Sequence, residues 1–163
     1  MIHVIIGDGN GKTTAAVGAS VRAAGHGWKV LFAQFLKGDS SGEIISLKSL
    51  GISVLQPAVN HGFIFAMNEN EKMETAKMCA GLLETATESD AQLIVLDEVL
   101  HALAAEMVQR EAIEKVLDKH CELILTGGIA PDWLIERADY VSYVSKIKHP
   151  YDNGIGARQG IEY

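Results

Sequence analysis

A glycine-rich segment between a strand-like run and a helix-like run is the clearest candidate for chemistry. Residues 7–14 read GDGNGKTT and follow the apolar run Ile2–Ile6. In such a segment the backbone N–H groups, the positive end of the next helix and the lysine charge can hold a phosphate chain, while Thr13 can offer a hydroxyl to Mg²⁺. The pattern predicts a nucleotide-binding phosphate loop with these ligands: Gly7, Asp8, Gly9, Asn10, Gly11, Lys12, Thr13 and Thr14.

The loop is one residue shorter than the common pattern of glycine, four residues and Gly-Lys-Thr. Counting back five residues from Gly11 reaches Ile6 instead of a glycine. A shorter loop should cradle fewer phosphate oxygens or hold them differently. This is a first indication that the chain is not an ordinary kinase or GTPase.

Two carboxylates follow a second apolar run. Asp97 and Glu98 come directly after Leu93–Leu96, at the carboxyl end of a predicted buried strand that we expect beside the first strand. Carboxylate oxygens suit Mg²⁺, so this pair could complete a metal site begun by Thr13. The alternative is that the acidic pair caps a helix, because Asp accepts backbone hydrogen bonds at helix starts. The phosphate loop favours the metal site, since both motifs then lie at one edge of the sheet.

The carboxyl-terminal tail concentrates positive charge in an otherwise acidic chain. Lys146, Lys148, His149 and Arg158 all lie within the last 18 residues. A ligand-binding clamp and a solvated tail are both open interpretations, because charge runs are usually solvated.

Short β-branched runs alternate with helix-patterned stretches, which is typical of a parallel sheet built from βαβ units. We therefore predict an α/β fold of the P-loop NTPase type, with a mostly parallel central sheet of about six strands and helices on both faces. The predicted strands are Ile2–Ile6, Lys29–Gln34, Ile52–Gln56, Leu93–Leu96, Glu122–Leu125 and Tyr140–Val144. The predicted helices include Lys12–Ala24, Glu69–Thr87 and Gln109–Lys119. Two stretches, Phe35–Glu43 and Pro57–Asn68, show no regular pattern and are expected to be ligand-binding loops.

The length, composition and charge of the chain limit the functions that it can have. The 163 residues, 48% of them apolar, fit a single domain over residues 1–163. The formal charge of −7 argues against a nucleic-acid-binding surface. The start of the chain has no leader-like pattern and no window reaches membrane-spanning length, so we expect a cytoplasmic protein. Cys79 and Cys121 lack the spacing of a metal or redox motif and are expected to be ordinary apolar residues.

With these residues in view, the whole chain resembles the ATP:corrinoid adenosyltransferases of the CobA/BtuR type. Several short motifs occur in that family's order. Besides the phosphate loop they are QFLKG (34–38), GFIF (62–65), LDE (96–98), TGG-x-AP (126–131), ERADYV (136–141), KHPY (148–151) and GIEY (160–163). Their joint order and spacing are specific to this family among P-loop proteins.

The resemblance implies transfer of the 5′-deoxyadenosyl group of ATP to the cobalt of a reduced corrinoid, with triphosphate as the leaving group. It implies Mg²⁺ as cofactor, a homodimer, and a flavin-type reductase that supplies electrons. It also implies that Arg22 serves the triphosphate and that Phe63 and Phe65 pack under the corrin ring. The candidate catalytic residues are then Lys12, Glu98, Phe63 and Phe65.

Three positions depart from the family pattern. Asn10 stands where lysine is common, Leu100 where asparagine is usual, and Gly128 where arginine is common. Two positive charges near a polyanion are therefore missing, with Lys37, Lys146 or Arg158 as candidate substitutes. Two alternatives stay open: a degenerate relative that binds ATP or corrinoid without turnover, and a P-loop ATPase or phosphotransferase. The natural corrinoid acceptor is also open.

Overall fold

The computed structural model describes residues 1–37 and 41–162, and its centre is a sheet of six parallel strands. The strands are β1 (Ile2–Ile6), β2 (Val30–Gln34), β3 (Ser53–Leu55), β4 (Leu93–Asp97), β5 (Glu122–Thr126) and β6 (Tyr140–Tyr143). Their order across the sheet is β3-β2-β4-β5-β1-β6, and every neighbouring pair is parallel. The predicted α/β class with a parallel sheet of about six strands is confirmed.

In the described residues, six α-helices and one 3-10 turn connect the strands, and a second 3-10 turn (Pro150–Asn153) follows β6. The helices are α1 (Lys12–Gly25), α2 (Gly42–Ser49), α3 (Glu69–Glu88), α4 (Val99–Ala104), α5 (Arg110–Leu117) and α6 (Asp132–Arg137). The three helices predicted by name lie where expected, to within two residues at each end. The predicted loop Phe35–Glu43 contains the start of α2, and residues 38–40 of it lie outside the described residues. The predicted loop Pro57–Asn68 contains the 3-10 turn Ile64–Ala66.

Helices cover both faces of the sheet, which explains why the central strands are apolar throughout. All five residues of β2 and of β4 are buried. Alternate residues of β4 belong to two separate cores, because successive side chains of a strand point to opposite faces. Ile94 and Leu96 pack with α3 and α5 on one face, whereas Leu93 and Val95 pack with α1 and α2 on the other.

The position of β4 differs from the prediction. The strand that carries Asp97 lies between β2 and β5, and β5 separates it from β1. The expectation that it neighbours the first strand is therefore wrong. Helix α1 compensates for this separation by packing across β4 and β5, so the start of the helix still reaches the end of β4.

Helix α3 begins with a capping box. The Asn68 side chain accepts a hydrogen bond from the Glu71 N–H at 3.0 Å, and the Glu71 carboxylate accepts one from the Asn68 N–H at 2.8 Å. The box fixes where the segment containing Phe63 and Phe65 ends. Cys79 is buried in this helix, as expected for an apolar residue. Within residues 1–37 and 41–162, no helix is both long and apolar enough to cross a membrane.

The chain leaving β6 crosses over the phosphate loop. The Val144 N–H donates to the Ile6 carbonyl at 2.7 Å, and the Val144 carbonyl accepts from the Gly9 N–H at 2.8 Å. A Cβ on Gly7 would lie 2.2 Å from the Val144 oxygen, and one on Gly9 would lie 2.8 Å from it. A side chain at either position would clash with the backbone of Val144, so both residues must be glycine.

Gly7→Ala should destabilise the protein, because Gly7 has a φ of +121° and no space for a Cβ. We expect the free energy of unfolding to fall by about 1–3 kcal/mol, measured by urea denaturation. The matched control is Gly81→Ala in α3, where a Cβ meets nothing within 4 Å and alanine should stabilise the helix by about 0.5–1 kcal/mol. Equal stability of the two variants would show that Val144 does not constrain the loop.

Candidate functional site

A cavity of about 570 Å³ opens at the carboxyl edge of the sheet. The phosphate loop forms its floor, and α2, the ends of β2 and β4 and the carboxyl-terminal tail form its walls. The polar and charged side chains that line it are Asn10, Lys12, Thr13, Thr14, Lys37, Glu43, Ser46, Glu98 and Glu162. Residues from four separate parts of the chain therefore meet around one polar space.

The amide groups of the phosphate loop divide into two sets. The Gly7 N–H donates to the Gly128 carbonyl at 2.9 Å, and the Gly9 N–H donates to the Val144 carbonyl. These two groups hold the loop together, which corrects the expectation that they turn toward an anion. Gly11, with a φ of +112°, is the N-cap of α1 and provides no side-chain cap. The positive end of α1 therefore faces the cavity uncapped by any side chain.

Asp8 ties the loop to the tail. Its carboxylate accepts a hydrogen bond from the Lys146 N–H at 2.9 Å, and this bond lowers the pKa of Asp8 below its ordinary value. Neither Asp8 nor Gly7 lines the cavity. The structure therefore gives both residues a supporting position, away from the space where a ligand would lie.

Lys12 folds back over its own loop. Its ammonium group donates to the Gly9 carbonyl at 2.8 Å and lines the cavity. A carbonyl oxygen is a weaker partner for an ammonium group than an anionic oxygen. The contact therefore holds the charge at the phosphate loop and can be exchanged for a phosphate.

The carboxylate of Asp97 is fully buried and accepts hydrogen bonds from four side chains. The Thr13 hydroxyl donates at 2.9 Å and the Thr126 hydroxyl at 2.8 Å. The Gln34 amide lies 3.3 Å away and the Lys37 ammonium 3.4 Å away. The structure thus brings the predicted partners Thr13 and Asp97 into direct contact. It does so although β1, which leads into the phosphate loop, and β4, which ends at Asp97, are not neighbours.

Glu98 is the N-cap residue of α4, but its side chain makes no capping bond. Its backbone is left-handed, with a φ of 65°, and its N–H donates to the Thr126 hydroxyl at 2.9 Å. The carboxylate forms an ion pair with His101 and lines the cavity. Burial works against its charge, but the hydrogen bond and charge of His101, together with the charges of Lys37 and Lys12, outweigh burial and lower the pKa of Glu98. Glu98 therefore takes the N-cap position that the alternative interpretation expected, but its carboxylate does not cap the helix.

Thr13, Asp97 and Glu98 supply oxygen ligands of the kind that Mg²⁺ prefers. A positive charge already lies between two of them, because the Lys37 ammonium is 3.1 Å from the Thr13 hydroxyl and 3.4 Å from the Asp97 carboxylate. The donor set therefore attracts a cation. Across the described parts of the chain, no cluster of three or more His, Cys, Asp or Glu side chains could hold a metal alone. A metal here would need phosphate oxygens and water as further ligands.

The tail covers one side of the cavity. Residues 160–162 line it, and Arg158 forms an ion pair of 2.8 Å with Glu162. The hydrogen bonds and charge of Arg158 lower the pKa of Glu162 to about 2. Lys146 pairs with Asp152 at 3.1 Å. Two of the four expected cations are therefore paired inside the tail, and the tail is part of the site.

Phe63 and Phe65 are exposed and do not belong to the core. Their side chains are 74% and 88% exposed, and their rings stack with centroids 5.3 Å apart. An ion pair of 3.0 Å between His61 and Glu74 holds the preceding chain against α3. Leu36, Lys37 and His61 line one small cavity, so this segment adjoins the phosphate cavity through Lys37. An exposed aromatic pair on a segment that adjoins a polar cavity is typical of a ligand-binding surface.

The Arg22 side chain lies far from the phosphate loop of its own chain. It lies ten residues after Lys12 on α1, which is about 15 Å along the helix axis. It lines a second, largely apolar cavity of about 520 Å³ together with His3, His26, Trp28 and Glu122. The structure therefore gives no support to a triphosphate contact from Arg22.

Sequence reasoning missed several residues of the site. Gln34, Thr126 and Glu43 were not singled out as site residues, although Gln34 donates to both the Glu43 and the Asp97 carboxylates. Gln34 and Thr126 are polar residues that each end an apolar run of a strand, and this was the signal that could have found them. Leu100, one of the departures, is only 1% exposed and belongs to the core.

The chain is similar over its whole length to proteins of one family. A family model described as ATP:corrinoid adenosyltransferase BtuR/CobO/CobP matches residues 1–163. The Escherichia coli protein named corrinoid adenosyltransferase is 33% identical over 171 residues, covering 100% of this chain and 85% of the relative. The Salmonella typhimurium corrinoid adenosyltransferase CobA shows the same identity and coverage. A Pseudomonas aeruginosa corrinoid adenosyltransferase is 33% identical over 173 residues, covering 96% of this chain and 80% of the relative.

Lys37→Met should strengthen the binding of Mn²⁺, a spectroscopic substitute for Mg²⁺, in the absence of nucleotide. The variant removes a charge that competes for Thr13 and Asp97, and two unit charges 4 Å apart interact by about 4 kcal/mol near a protein surface. We expect the dissociation constant for Mn²⁺, measured by electron paramagnetic resonance, to fall roughly tenfold or more. Lys48→Met, at the exposed end of α2, is the matched control and should change nothing. Equal affinity in both variants would contradict a cation-binding role for this donor set.

Proposed function

The chain belongs to the ATP:corrinoid adenosyltransferase family, and we propose that it transfers the 5′-deoxyadenosyl group of ATP to the Co(I) centre of a reduced corrinoid such as cob(I)alamin. A bond forms between cobalt and C5′ of the ribose, with both electrons from Co(I). The bond between C5′ and its oxygen breaks, and its electron pair leaves with the triphosphate. The observation that carries the proposal is the phosphate-loop cavity, in which Thr13 is bonded to the buried Asp97, with an exposed phenylalanine pair on a segment that adjoins the cavity through Lys37.

The main task of the protein in this reaction is to neutralise and orient the leaving triphosphate. Lys12 and the first turn of α1 face the cavity and would hold phosphate oxygens. Arg158 pairs with Glu162, which lines the cavity, and would be a further source of positive charge once this pairing is exchanged. Because the chain as a whole carries a charge of −7, these few local cations must provide the attraction.

Thr13, Asp97 and Glu98 would hold Mg²⁺ together with phosphate oxygens and water. When bound, Mg²⁺ would neutralise charge on the phosphates. The Asp97 carboxylate is already held in place by hydrogen bonds from two threonine hydroxyls and from Gln34. Lys37, which lies between Thr13 and Asp97, is close enough to move onto a phosphate oxygen.

Adenosyl transfer requires no general base, because Co(I) is itself a strong nucleophile. The acidic residues of the site are poorly placed to act as one. Asp97 already accepts four hydrogen bonds, and Glu98 is paired with His101. A phosphotransferase would need one of them to accept or position a proton of water or of an acceptor hydroxyl. Their bonding therefore favours attack on carbon over attack on phosphorus.

Phe63 and Phe65 would form the apolar surface against which the corrin ring lies. Such a wedge can exclude a lower axial ligand from cobalt and so make Co(II) easier to reduce. The family resemblance extends the proposal to a cytoplasmic homodimer that receives electrons from a flavin-type reductase.

The products of an anaerobic reaction with ATP and chemically reduced cob(I)alamin test the proposed function. We expect an ATP-dependent change in corrinoid absorbance and one triphosphate released for each adenosylated corrinoid. Lys12→Ala should abolish both, because it removes the charge at the phosphate loop. Release of ADP or orthophosphate would support the phosphotransferase alternative, and corrinoid binding without any product would support a degenerate relative.

Phe63→Ala should impair the reaction more when Co(II) is supplied with a reductant than when pre-reduced Co(I) is supplied. The reason is that the aromatic wedge matters for the reduction step and less for the attack on ATP. Initial rates on the two substrates measure the difference. Trp28→Ala, an exposed aromatic variant at the opposite edge of the sheet, is the control and should affect neither rate. Equal losses on both substrates would argue against the proposed role of Phe63.

A further inference from the structure

The ion pair between Glu98 and His101 differs from an ordinary pair on a helix surface. Exposed pairs three or four residues apart contribute little, because both side chains stay hydrated and mobile. Here the Glu98 side chain is only 20% exposed and that of His101 45%. Glu98 also has a left-handed backbone and a hydrogen bond from its N–H to the buried Thr126, which fix the direction in which its side chain leaves the chain.

The Nε2 edge of the His101 ring lies close to Gly128. A Cβ on Gly128 would lie 2.9 Å from Nε2 of His101, and one on Gly127 would lie 2.5 Å from Cβ of Leu100. The two glycines therefore lie directly against the first turns of α4. Because residue 128 has no side chain, the imidazole has room to stand between Gly128 and the Glu98 carboxylate. Gly128 and Glu98 together restrict the orientation of the His101 ring.

Gly128 also supports the phosphate loop. The Gly128 carbonyl accepts the hydrogen bond from the Gly7 N–H at 2.9 Å. A continuous set of contacts thus runs from the phosphate loop through Gly128 and the imidazole to the Glu98 carboxylate. A shift of the His101 ring would therefore move the Glu98 carboxylate, which lines the phosphate cavity.

We propose that His101 is a positioning residue that holds the Glu98 carboxylate in the orientation needed for the metal–nucleotide complex, and that Gly128 is glycine because the imidazole needs its space. The inference rests on the proposed function, since it assumes that Glu98 meets a divalent cation bound with ATP. A proton on Nδ1, which the imidazolium and one neutral tautomer both carry, is sufficient to donate to Glu98. Partners that orient a metal ligand in this way typically change metal affinity by roughly 10- to 100-fold when they are removed.

Binding of Mn²⁺ at saturating ATP, followed by electron paramagnetic resonance, tests this inference. His101→Phe keeps a ring of similar size but removes the donor, and should weaken Mn²⁺ binding roughly 10- to 100-fold. Binding of metal-free ATP should stay unchanged, because no phosphate-loop residue is altered. His101→Asn places an amide near the position of Nδ1 and should restore much of the Mn²⁺ affinity. His26→Phe, at the far end of α1, is the matched control.

Gly128→Ala gives an independent variant in which residue 101 is still histidine. The added methyl group should displace the ring and weaken Mn²⁺ binding as His101→Phe does, whereas Gly81→Ala should not. This pair also serves if His101→Phe does not fold. Unchanged Mn²⁺ affinity in folded His101→Phe or Gly128→Ala would overturn the positioning role while leaving the proposed function intact. Failure of the wild-type protein to bind Mn²⁺ with ATP would overturn both.

Discussion

The buried carboxylate of Asp97 joins the parts of the chain from which the site is built. It ends β4 and receives hydrogen bonds from Thr13 at the start of α1, Thr126 at the end of β5, and Gln34 at the end of β2. A fully buried charge is tolerated only when its hydrogen bonds are satisfied, so these elements must stay in register for the fold to be stable. The same register places the phosphate loop beside the acidic pair. Stability and the geometry of the site therefore depend on one carboxylate.

The cations of the site are held by internal partners. Lys12 donates to a carbonyl of its own loop, Lys37 lies between Thr13 and Asp97, and Arg158 pairs with Glu162 in the tail. Each of these contacts can be exchanged for a contact with a phosphate oxygen. An acidic chain can in this way gather positive charge at one place without a basic surface. Lys37 and Arg158 are thus candidate substitutes for the charges that are missing at positions 10 and 128.

The sequence allowed the elements to be predicted better than their arrangement. Strands such as β4 were found because a parallel strand covered on both faces is apolar at every position. Its place beside β2 and β5 could not be read from the chain, because strand order depends on pairing between distant segments. Arg22 was assigned from the order of motifs, and only the length of α1 shows that it lies far from the phosphate loop. The fit between His101 and Gly128, 27 residues apart, depends on packing that no local pattern signals.

The central claim is that the bond broken in ATP lies between carbon and oxygen, with phosphorus untouched. The most direct measurement uses ATP labelled with ¹⁸O at the oxygen that bridges C5′ and the α-phosphorus, together with chemically reduced corrinoid. Mass spectrometry of the products should find the label in the released triphosphate, because attack on C5′ leaves that oxygen on phosphorus. Label retained on a nucleoside or nucleotide product would contradict the account.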